Sequence, residues 1–241
     1  MTGTLYGVGT GPGDPELLTL KAVRAIQGAD VVAYFAKSGN RSNARAIVAD
    51  LLAPTQHEEA LLYPVTTEID RHHADYRSAT AQFYAEAAER IAAHLDAGRK
   101  VAVLSEGDPL FYGSYMHLHV RLAHRYPTEV VPGITAMSGC WSMAGLPLVQ
   151  GDDVLAVLPG TLEQAELERR LADSQGAVIM KVGRNLPKIR RAIAAAGKLD
   201  TAVYVERGTM SNGQSMRLCD KPDDIAPYFA LVLVPGWSAR P

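Results

Sequence analysis

The chain opens with a short apolar segment that runs into a glycine-rich loop, GVGTGPGD at residues 7–14. The segment before the loop, LYGV from Leu5 to Val8, has the apolar character of a buried strand. In α/β proteins a glycine-rich loop after a strand lets the bare backbone approach a ligand. This opening stretch therefore predicts an α/β fold with a ligand site at the carboxyl end of its first strand.

Further apolar runs along the chain have the same character, and helical stretches separate them. The longest helical stretch covers about residues 75–97, where Phe83, Ala87, Ile91 and Leu95 share one face. The apolar runs are continuous rather than alternating, as in strands covered on both faces. They are Val31–Phe35, Val101–Ser105, Glu129–Val131, Val154–Leu158, Ala177–Val182, Ala202–Glu206 and Leu231–Val234. Strands that alternate with helices predict the α/β class with mostly parallel sheets.

The length of 241 residues allows one large domain or two small ones. The long helix and the break at Pro132–Gly133 favour two α/β lobes, residues 1–120 and 121–241. The two cysteines, Cys140 and Cys219, are far apart and form no CxxC pair, which indicates free thiols in a reducing compartment. No signal peptide opens the chain and no apolar run reaches the ~20 residues of a membrane span, so we expect a cytoplasmic protein without a membrane partner.

Two ligand classes are disfavoured by charge and spacing. The formal net charge of -2 argues against a nucleic-acid partner. The chain contains no HExxH motif, and His117 and His119 would diverge by about 200° on a helix, so we expect no metal site.

The glycine loop departs from the known phosphate-binding motifs. A GxGxxG fingerprint would need its third glycine where the three possible registers place Pro12, Asp14 and Glu16. The only Gly-Lys pair is followed by Leu199, so a P-loop is also absent. These failures argue against an NAD-dependent dehydrogenase. An acidic, proline-stiffened loop suits a ligand without phosphates.

Two later stretches repeat the pattern of small residues after a predicted strand. They read VLSEGDPLFYGS at residues 103–114 and VVPGITAMSG at residues 130–139. Together with GTGPGDPELLT at residues 9–19, they resemble the tetrapyrrole methylases, the S-adenosylmethionine-dependent enzymes of cobalamin and sirohaem synthesis. The resemblance runs from residue 4 to about residue 235. It implies a homodimer of two-lobed subunits with mostly parallel sheets and the cofactor in the cleft between the lobes.

The second stretch narrows the resemblance within the family. A uroporphyrinogen methylase is expected to read like GGDPFVFGRG there, whereas here Glu106 precedes Gly107 and the tail reads LFYGSYMHL. This form resembles the branch that methylates precorrin-2 at C(20) and releases S-adenosylhomocysteine. The alternatives are a uroporphyrinogen III methylase, diphthine synthase, a ribosomal RNA methylase, or a non-catalytic sensor of adenosyl ligands.

The resemblance also implies which residues contact the cofactor, mostly through their backbone. They are Pro12, Glu106, Gly107, Asp108, Phe111, Thr135, Ala136, either Met180 or Lys181 in MKVGRN, and Gly208 in ERGT. The register between Met180 and Lys181 stays open.

The tetrapyrrole implied by the resemblance carries eight carboxylates, for which arginine is the natural partner. Lys37, Arg41 and Arg45 follow a predicted strand at its carboxyl end, and we expect them to bind these groups. Other candidates are Arg184, Arg207 and Arg217. Tyr112 either donates a hydrogen bond to the substrate or packs beneath it. The substrate is itself a carbon nucleophile, and the sequence names no catalytic base.

Overall fold

The computed structural model describes residues 2–64 and 74–236, with side chains in the second range described from residue 78. The chain divides into two compact units, residues 1–135 and 136–241. The division thus lies later than the boundary at 120/121 expected from the sequence. The reason is strand pairing, because the strand Thr128–Val131 joins the first strand, Leu5–Gly9, in one sheet.

The first unit is a five-stranded sheet with helices on its two faces. Its strands are β1 (Leu5–Gly9), β2 (Val31–Lys37), β3 (His57–Tyr63), β4 (Val101–Ser105) and β5 (Thr128–Val131). Its helices are α1 (Leu20–Gln27), α2 (Asn43–Ile47), α3 (Ala74–Asp96) and α4 (Tyr115–Leu122), with short 3-10 turns at Pro15–Leu17 and Ala49–Leu51. The strand order is β3-β2-β4-β1-β5, and every pairing is parallel.

Alternate residues of each central strand pack into different cores. In β4, Val101 and Val103 belong to the cluster that contains α3 and α4 side chains, whereas Ala102 and Leu104 belong to the cluster that contains α1 and α2 side chains. Both faces of the strand are therefore apolar, which explains the continuous apolar runs of the sequence.

Local signals set the helix ends of the first unit. The hydroxyl of Thr19 accepts a hydrogen bond from the backbone N–H of Ala22 at 3.1 Å, so Thr19 is the expected N-cap of α1. The α3 helix ends just before Gly98, whose φ of 78° is the left-handed conformation of a helix C-terminus. Both ends therefore follow from residues with a known preference for these positions.

The second unit contains a mixed sheet. Its strands are β6 (Leu155–Pro159), β7 (Gly176–Met180), β8 (Val203–Glu206), β9 (Gln214–Arg217) and β10 (Ala230–Val234). Its helices are α5 (Ala136–Met143), α6 (Gln164–Ala172) and α7 (Leu186–Ala195), with 3-10 turns at Gly183–Asn185 and Leu218–Asp220. The order is β6-β7-β10-β8-β9; β6 and β7 are parallel and the other three pairings are antiparallel.

The predicted α/β class with mostly parallel sheets is confirmed, since five of the eight pairings are parallel. The antiparallel pairings of the second unit are a feature that the sequence did not indicate. Among the described residues, no helix has both the length and the hydropathy to cross a membrane.

Candidate functional site

Three loops of the first unit meet beyond the carboxyl ends of β1, β4 and β5. The loops after β1 and β4 are joined by a pair of backbone hydrogen bonds, from Gly107 N to Gly11 O at 2.8 Å and from Gly11 N to Gly107 O at 3.3 Å. Just before them, the buried Thr10 donates its N–H and its hydroxyl to Ser105 O, at 2.8 and 3.1 Å. The two loops are therefore joined through their backbones, and we call the joined residues 10–11 and 105–107 the backbone ledge.

The third loop, after β5, approaches the other two so closely that no side chain fits at the point of contact. A Cβ on Gly9 would lie 2.6 Å from the Cα and N of Gly133 and 2.7 Å from Gly107 O. A Cβ on Gly133 would collide with the same carbonyl oxygen. Glycine is required at both positions by this close backbone approach.

Asp108 joins the second loop to the third. Its Oδ1 accepts a hydrogen bond from Leu110 N at 2.9 Å, and its Oδ2 accepts one from Gly133 N at 3.2 Å. The first bond closes the Gly-Asp-Pro turn, as an aspartate in a turn commonly does. The second bond links this turn to the loop after β5, which leads to Thr135.

Backbone strain is concentrated in the stretches that the sequence analysis selected. Four described non-glycine residues have positive φ: Tyr112 (55°), Lys181 (56°), Arg207 (49°) and Thr209 (68°). Left-handed backbone costs an L-residue about 1–3 kcal/mol, and such residues cluster at ligand sites. A β-branched residue such as Thr209 is an especially rare case. All four adjoin candidate cofactor residues.

In the second unit, both candidates at the end of β7 use their carbonyl groups within the protein. Met180 O accepts from Gly160 N at 2.6 Å, and Lys181 O accepts from the side-chain nitrogen of Asn185 at 3.1 Å. Asn185 directly precedes α7, but its side chain makes no capping bond there. The two carbonyl groups therefore do not decide between Met180 and Lys181.

Gly208 packs against α5 of the same unit. A Cβ on Gly208 would collide with the sulfur of Cys140, which is buried. Burial raises the pKa of the Cys140 thiol to about 12, so this cysteine is an inert packing group at neutral pH. Ala136, another candidate, is the first residue of the same helix.

The predicted substrate-binding cations do not share one environment. Lys37 and Arg41 lie in an exposed segment, residues 37–41. Arg45 instead forms a bidentate ion pair with Glu58, from Nε to Oε2 at 2.9 Å and from Nη2 to Oε1 at 2.8 Å. The hydrogen bonds from Arg45 lower the pKa of the Glu58 carboxyl, although burial opposes them.

Two of the other candidate substrate-binding arginines also have carboxylate partners. Arg207 pairs with Glu206, and Arg217 pairs with Asp220. The rings of Phe111 and Tyr112 lie edge to face with centroids 4.9 Å apart, and Tyr112 is exposed.

The chemistry of the three loops fits a sulfonium ligand better than a phosphate. Residues 7–14, 105–114 and 131–139 contain no lysine or arginine, and they contain three carboxylates. Glu106 is an exposed residue. Protein atoms around its carboxyl group nevertheless exclude part of the surrounding water, which disfavours the charged form and raises the pKa of Glu106. The remaining polar groups are backbone N–H and C=O groups and the uncharged hydroxyls of Thr10, Ser105, Tyr112, Ser114, Thr135 and Ser138. S-adenosylmethionine, which carries a positive sulfonium and no phosphate, suits this set of groups.

The sequence analysis did not identify two side-chain clusters near the first sheet. Ser114, at the end of the second motif, is hydrogen-bonded to the hydroxyl groups of Tyr63 and Tyr84. His57, Glu59 and His94 place potential metal-ligand atoms within 4.8 Å of one another. Glu59 is also paired with Arg90. The two strand residues and the helix residue are distant in sequence, so spacing could not reveal this group.

Comparison with known proteins gives a family match over most of the chain. Residues 4–219 match the model of the Tetrapyrrole (Corrin/Porphyrin) Methylases. A precorrin-2 C(20)-methyltransferase from Sinorhizobium sp. is 70% identical over 239 residues, which cover 99% of this chain and 98% of that protein. A cobalt-precorrin-2 C(20)-methyltransferase from Salmonella typhimurium is 29% identical and covers 97% of both chains.

The solved structures include a uroporphyrin-III C-methyl transferase from Thermus thermophilus complexed with S-adenyl homocysteine. It is 26% identical, with a TM-score of 0.64, and the match covers 96% of both chains. The described arrangement of sheets and loops is thus one that occurs in a protein with this ligand bound.

Proposed function

Because the chain belongs to the tetrapyrrole methylases, we propose that it transfers the methyl group of S-adenosylmethionine to C(20) of precorrin-2. The products are precorrin-3A, S-adenosylhomocysteine and the proton that leaves C(20). The observation that carries this proposal is the 70% identity, over 99% of the chain, to a precorrin-2 C(20)-methyltransferase. Its competitor within the family, a uroporphyrinogen III methylase, is disfavoured by Glu106 at the position where that branch is expected to have glycine.

S-adenosylmethionine, when bound, supplies the methyl group as an electrophile on its sulfonium. The task of the protein is to hold donor and acceptor in line and to keep water away, and positioning of this kind supplies about 7–11 kcal/mol of a barrier. The ledge that Gly11 and Gly107 form is hydrogen-bonded to the third loop through Asp108, and these bonds support the proposed positioning role. We assign the cofactor to Pro12, Glu106, Gly107, Asp108, Phe111, Thr135, Ala136, Met180 or Lys181, and Gly208.

We assign the substrate carboxylates to Lys37 and Arg41 in the exposed segment, with Arg45 as a third cation whose guanidinium is shared with Glu58. Tyr112 is assigned to the substrate because it is exposed and held in a left-handed conformation next to Phe111. We further propose the metal-free tetrapyrrole as substrate. The 70% relative is named for precorrin-2, whereas the relative named for the cobalt form is 29% identical.

A labelling experiment tests the activity. The protein is incubated anaerobically with methyl-labelled S-adenosylmethionine and precorrin-2, and the label is located in the product by NMR. We expect one label at C(20). Label on uroporphyrinogen III in a parallel reaction would identify the other branch of the family, and tight cofactor binding without transfer to either substrate would identify a sensor.

We also propose that the protein works as a homodimer in the cytoplasm. The family resemblance supports the dimer. The two free cysteines, Cys140 and Cys219, which form no disulfide, support the cytoplasmic location. Light scattering on the purified protein tests the dimer, and an expected mass of twice 25.9 kDa follows from the chain mass.

A further inference from the structure

Three side chains that can bind a metal ion meet at the edge of the first sheet, where α3 packs on β3. His57 and Glu59 are the first and third residues of β3, so their side chains lie on one face of this edge strand. Leu61, the next residue on that face, packs in one core cluster with Ile91 of α3. The same packing brings His94, in the last turn of α3, to the two strand residues.

One carboxylate oxygen faces both imidazole rings. Glu59 Oε2 lies 2.9 Å from Nε2 of His94 and 3.4 Å from Nε2 of His57. The ligand atoms of the three residues all lie within 4.8 Å of one another. Around a tetrahedral Zn²⁺ ion, ligand atoms at their usual bond lengths are about 3.3–3.6 Å apart. The three side chains therefore need to shift by only about 1 Å to surround one ion.

The guanidinium of Arg90 is bound to the other oxygen of the same carboxylate. Arg90 lies one turn before His94 in α3; its Nη2 atom pairs with Oε1 of Glu59 and donates to Ala60 O at 3.0 Å. This pairing holds the carboxylate group in an orientation in which Oε2 is close to the two rings. The geometry thus indicates a monodentate carboxylate ligand.

The burial of the three ligands gives an ion a base and an entry path. The side chains of His94 and Glu59 are 10% and 12% exposed, whereas that of His57 is 55% exposed. An ion can enter past His57, and water can complete its coordination on the same side. Two imidazoles with one carboxylate favour a transition-metal ion over Mg²⁺ or Ca²⁺, which prefer ligands that are all oxygen.

Two features of the cluster limit its affinity. The Nδ1 atom of His94 is buried without a hydrogen-bond partner, whereas the second nitrogen of a metal-bound histidine is usually hydrogen-bonded. Arg90 also places a positive charge beside the ion, which repels it. We therefore expect a micromolar Kd rather than the tighter binding of a fully supported zinc site.

We propose that His57, Glu59 and His94 form a Zn²⁺ site that ties the start of β3 to the last turn of α3. The site lies at the amino end of β3, about 20 Å along the strand from Tyr63 at the carboxyl end. The backbone ledge lies beyond the carboxyl ends of the neighbouring parallel strands, so the ion has a structural role and takes no part in methyl transfer. The expectation of no metal site did not cover this set, because its members are distant in the chain.

Zinc titration of the full-length, tag-free protein tests the proposal. After dialysis against a chelator and its removal, calorimetry with ZnCl₂ should show one ion per chain, and MgCl₂ should show no binding. His57→Gln, Glu59→Gln and His94→Gln should each weaken Zn²⁺ binding at least tenfold. His124→Gln, at an exposed histidine of the same unit, is the matched control and should bind Zn²⁺ as the wild type does.

Two further readouts locate the effect of the ion. Zn²⁺ should raise the Tm of the wild type and of His124→Gln, because it binds the folded chain, and it should leave the Tm of His57→Gln unchanged. Hydrogen exchange should slow on addition of Zn²⁺ at the amides of residues 57–60 and 93–97. His57 is exposed, so its variant is expected to fold and keeps the test valid if His94→Gln does not.

Three outcomes would overturn the inference. They are the absence of Zn²⁺ binding in the wild type, wild-type affinity in His57→Gln and Glu59→Gln, and protection from exchange that Zn²⁺ induces only outside these two stretches. Each would leave the cluster as an ion-pair network around Glu59. No measurement needs precorrin-2, so the result stands whether or not the proposed methylation is found.

Discussion

The Oδ2 atom of Asp108 accepts a hydrogen bond from the backbone N–H of Gly133 at 3.2 Å, and so one carboxylate connects the loops after β4 and β5. We expect Asp108→Ala to raise the Kd for S-adenosylmethionine at least tenfold, about 1.4 kcal/mol, because both loops lose their common anchor. Calorimetry measures the change. Asp14→Ala is the comparison, since Asp14 accepts from Glu16 N within its own turn at 2.9 Å. Equal affinities in a folded Asp108→Ala protein would refute the anchoring role.

The cofactor and its demethylated product should bind with similar strength. The loops offer small residues and backbone groups, and in our assignment these groups would contact the adenosine and methionine parts that both ligands share. Titration with S-adenosylmethionine and S-adenosylhomocysteine measures the two constants, with NAD as the control. The loops contain no lysine or arginine for a pyrophosphate, so NAD should bind weakly. Tighter binding of NAD would contradict the assignment of the ligand.

Removal of the positive charges at Lys37, Arg41 and Arg45 should weaken precorrin-2 binding and reduce its dependence on salt. The reason is that screening by salt acts on exposed charge pairs. The affinity for S-adenosylmethionine should stay near the wild-type value. Arg45→Gln alone is the control, because it breaks the ion pair with Glu58 and leaves the two exposed cations in place. If the triple variant keeps its KM at low salt, Arg184 and Arg207 become the next candidates.

Gly133→Ala should destabilise the first unit. The added Cβ would collide with Gly107 O, and a forced backbone shift of this kind costs about 1–3 kcal/mol. Urea denaturation gives the free energy of unfolding. Gly28→Ala is the comparison, since its Cβ would have a single neighbour, Arg24 O, at 3.1 Å, and its φ of -88° suits alanine. A Gly133→Ala protein as stable as Gly28→Ala would show that the loops can separate without strain.

The ion pair between Arg45 and Glu58 should contribute stability that acid removes. The hydrogen bonds from Arg45 hold the pKa of Glu58 below its usual range, so the unfolded chain binds the proton more tightly than the folded one. The contribution is therefore complete above the unfolded pKa of about 4.3 and is lost as the pH falls through the folded pKa. It is at most about 1 kcal/mol, because both side chains are more than a third exposed to solvent, at 35% and 37%.

Unfolding measured between pH 7 and pH 3 tests this sign. Glu58→Gln and Arg45→Gln should each be less stable than the wild type at pH 7, and the difference should shrink toward pH 3. A difference that grows in acid would mean that the pair is not the source of the effect.

The sequence predicted those strands whose apolar runs pack between two layers. Val31–Phe35 and Val101–Ser105 are strands of the structure, because alternate residues face two separate cores. It did not indicate β9, whose sequence QSMR is largely exposed at the edge of a sheet and carries no apolar run. The sequence also did not indicate whether neighbouring strands run parallel or antiparallel, since an apolar run has the same pattern in both kinds of pairing.

The candidate site, like the fold, could be predicted from the sequence only in part. The motifs selected the loops that meet in the first unit, because glycine, aspartate and proline report local backbone needs. They could not show that Arg45 is paired with Glu58, or that Asp108 accepts from Gly133 N, since each pair joins elements that only the fold brings together. The boundary at residue 120 was misplaced for a similar reason: β5 belongs to the first sheet by pairing with β1.

Selection for heat resistance alone should act first on the left-handed turns. Arg207 and Thr209 flank Gly208 with φ values of 49° and 68°, and glycine adopts such angles without strain. A laboratory population evolved for survival at high temperature is therefore expected to acquire glycine at these two positions and to lose methyl-transfer activity as it does so. Such a result would place a conflict between stability and activity in the backbone angles on either side of Gly208, which we assign to the cofactor.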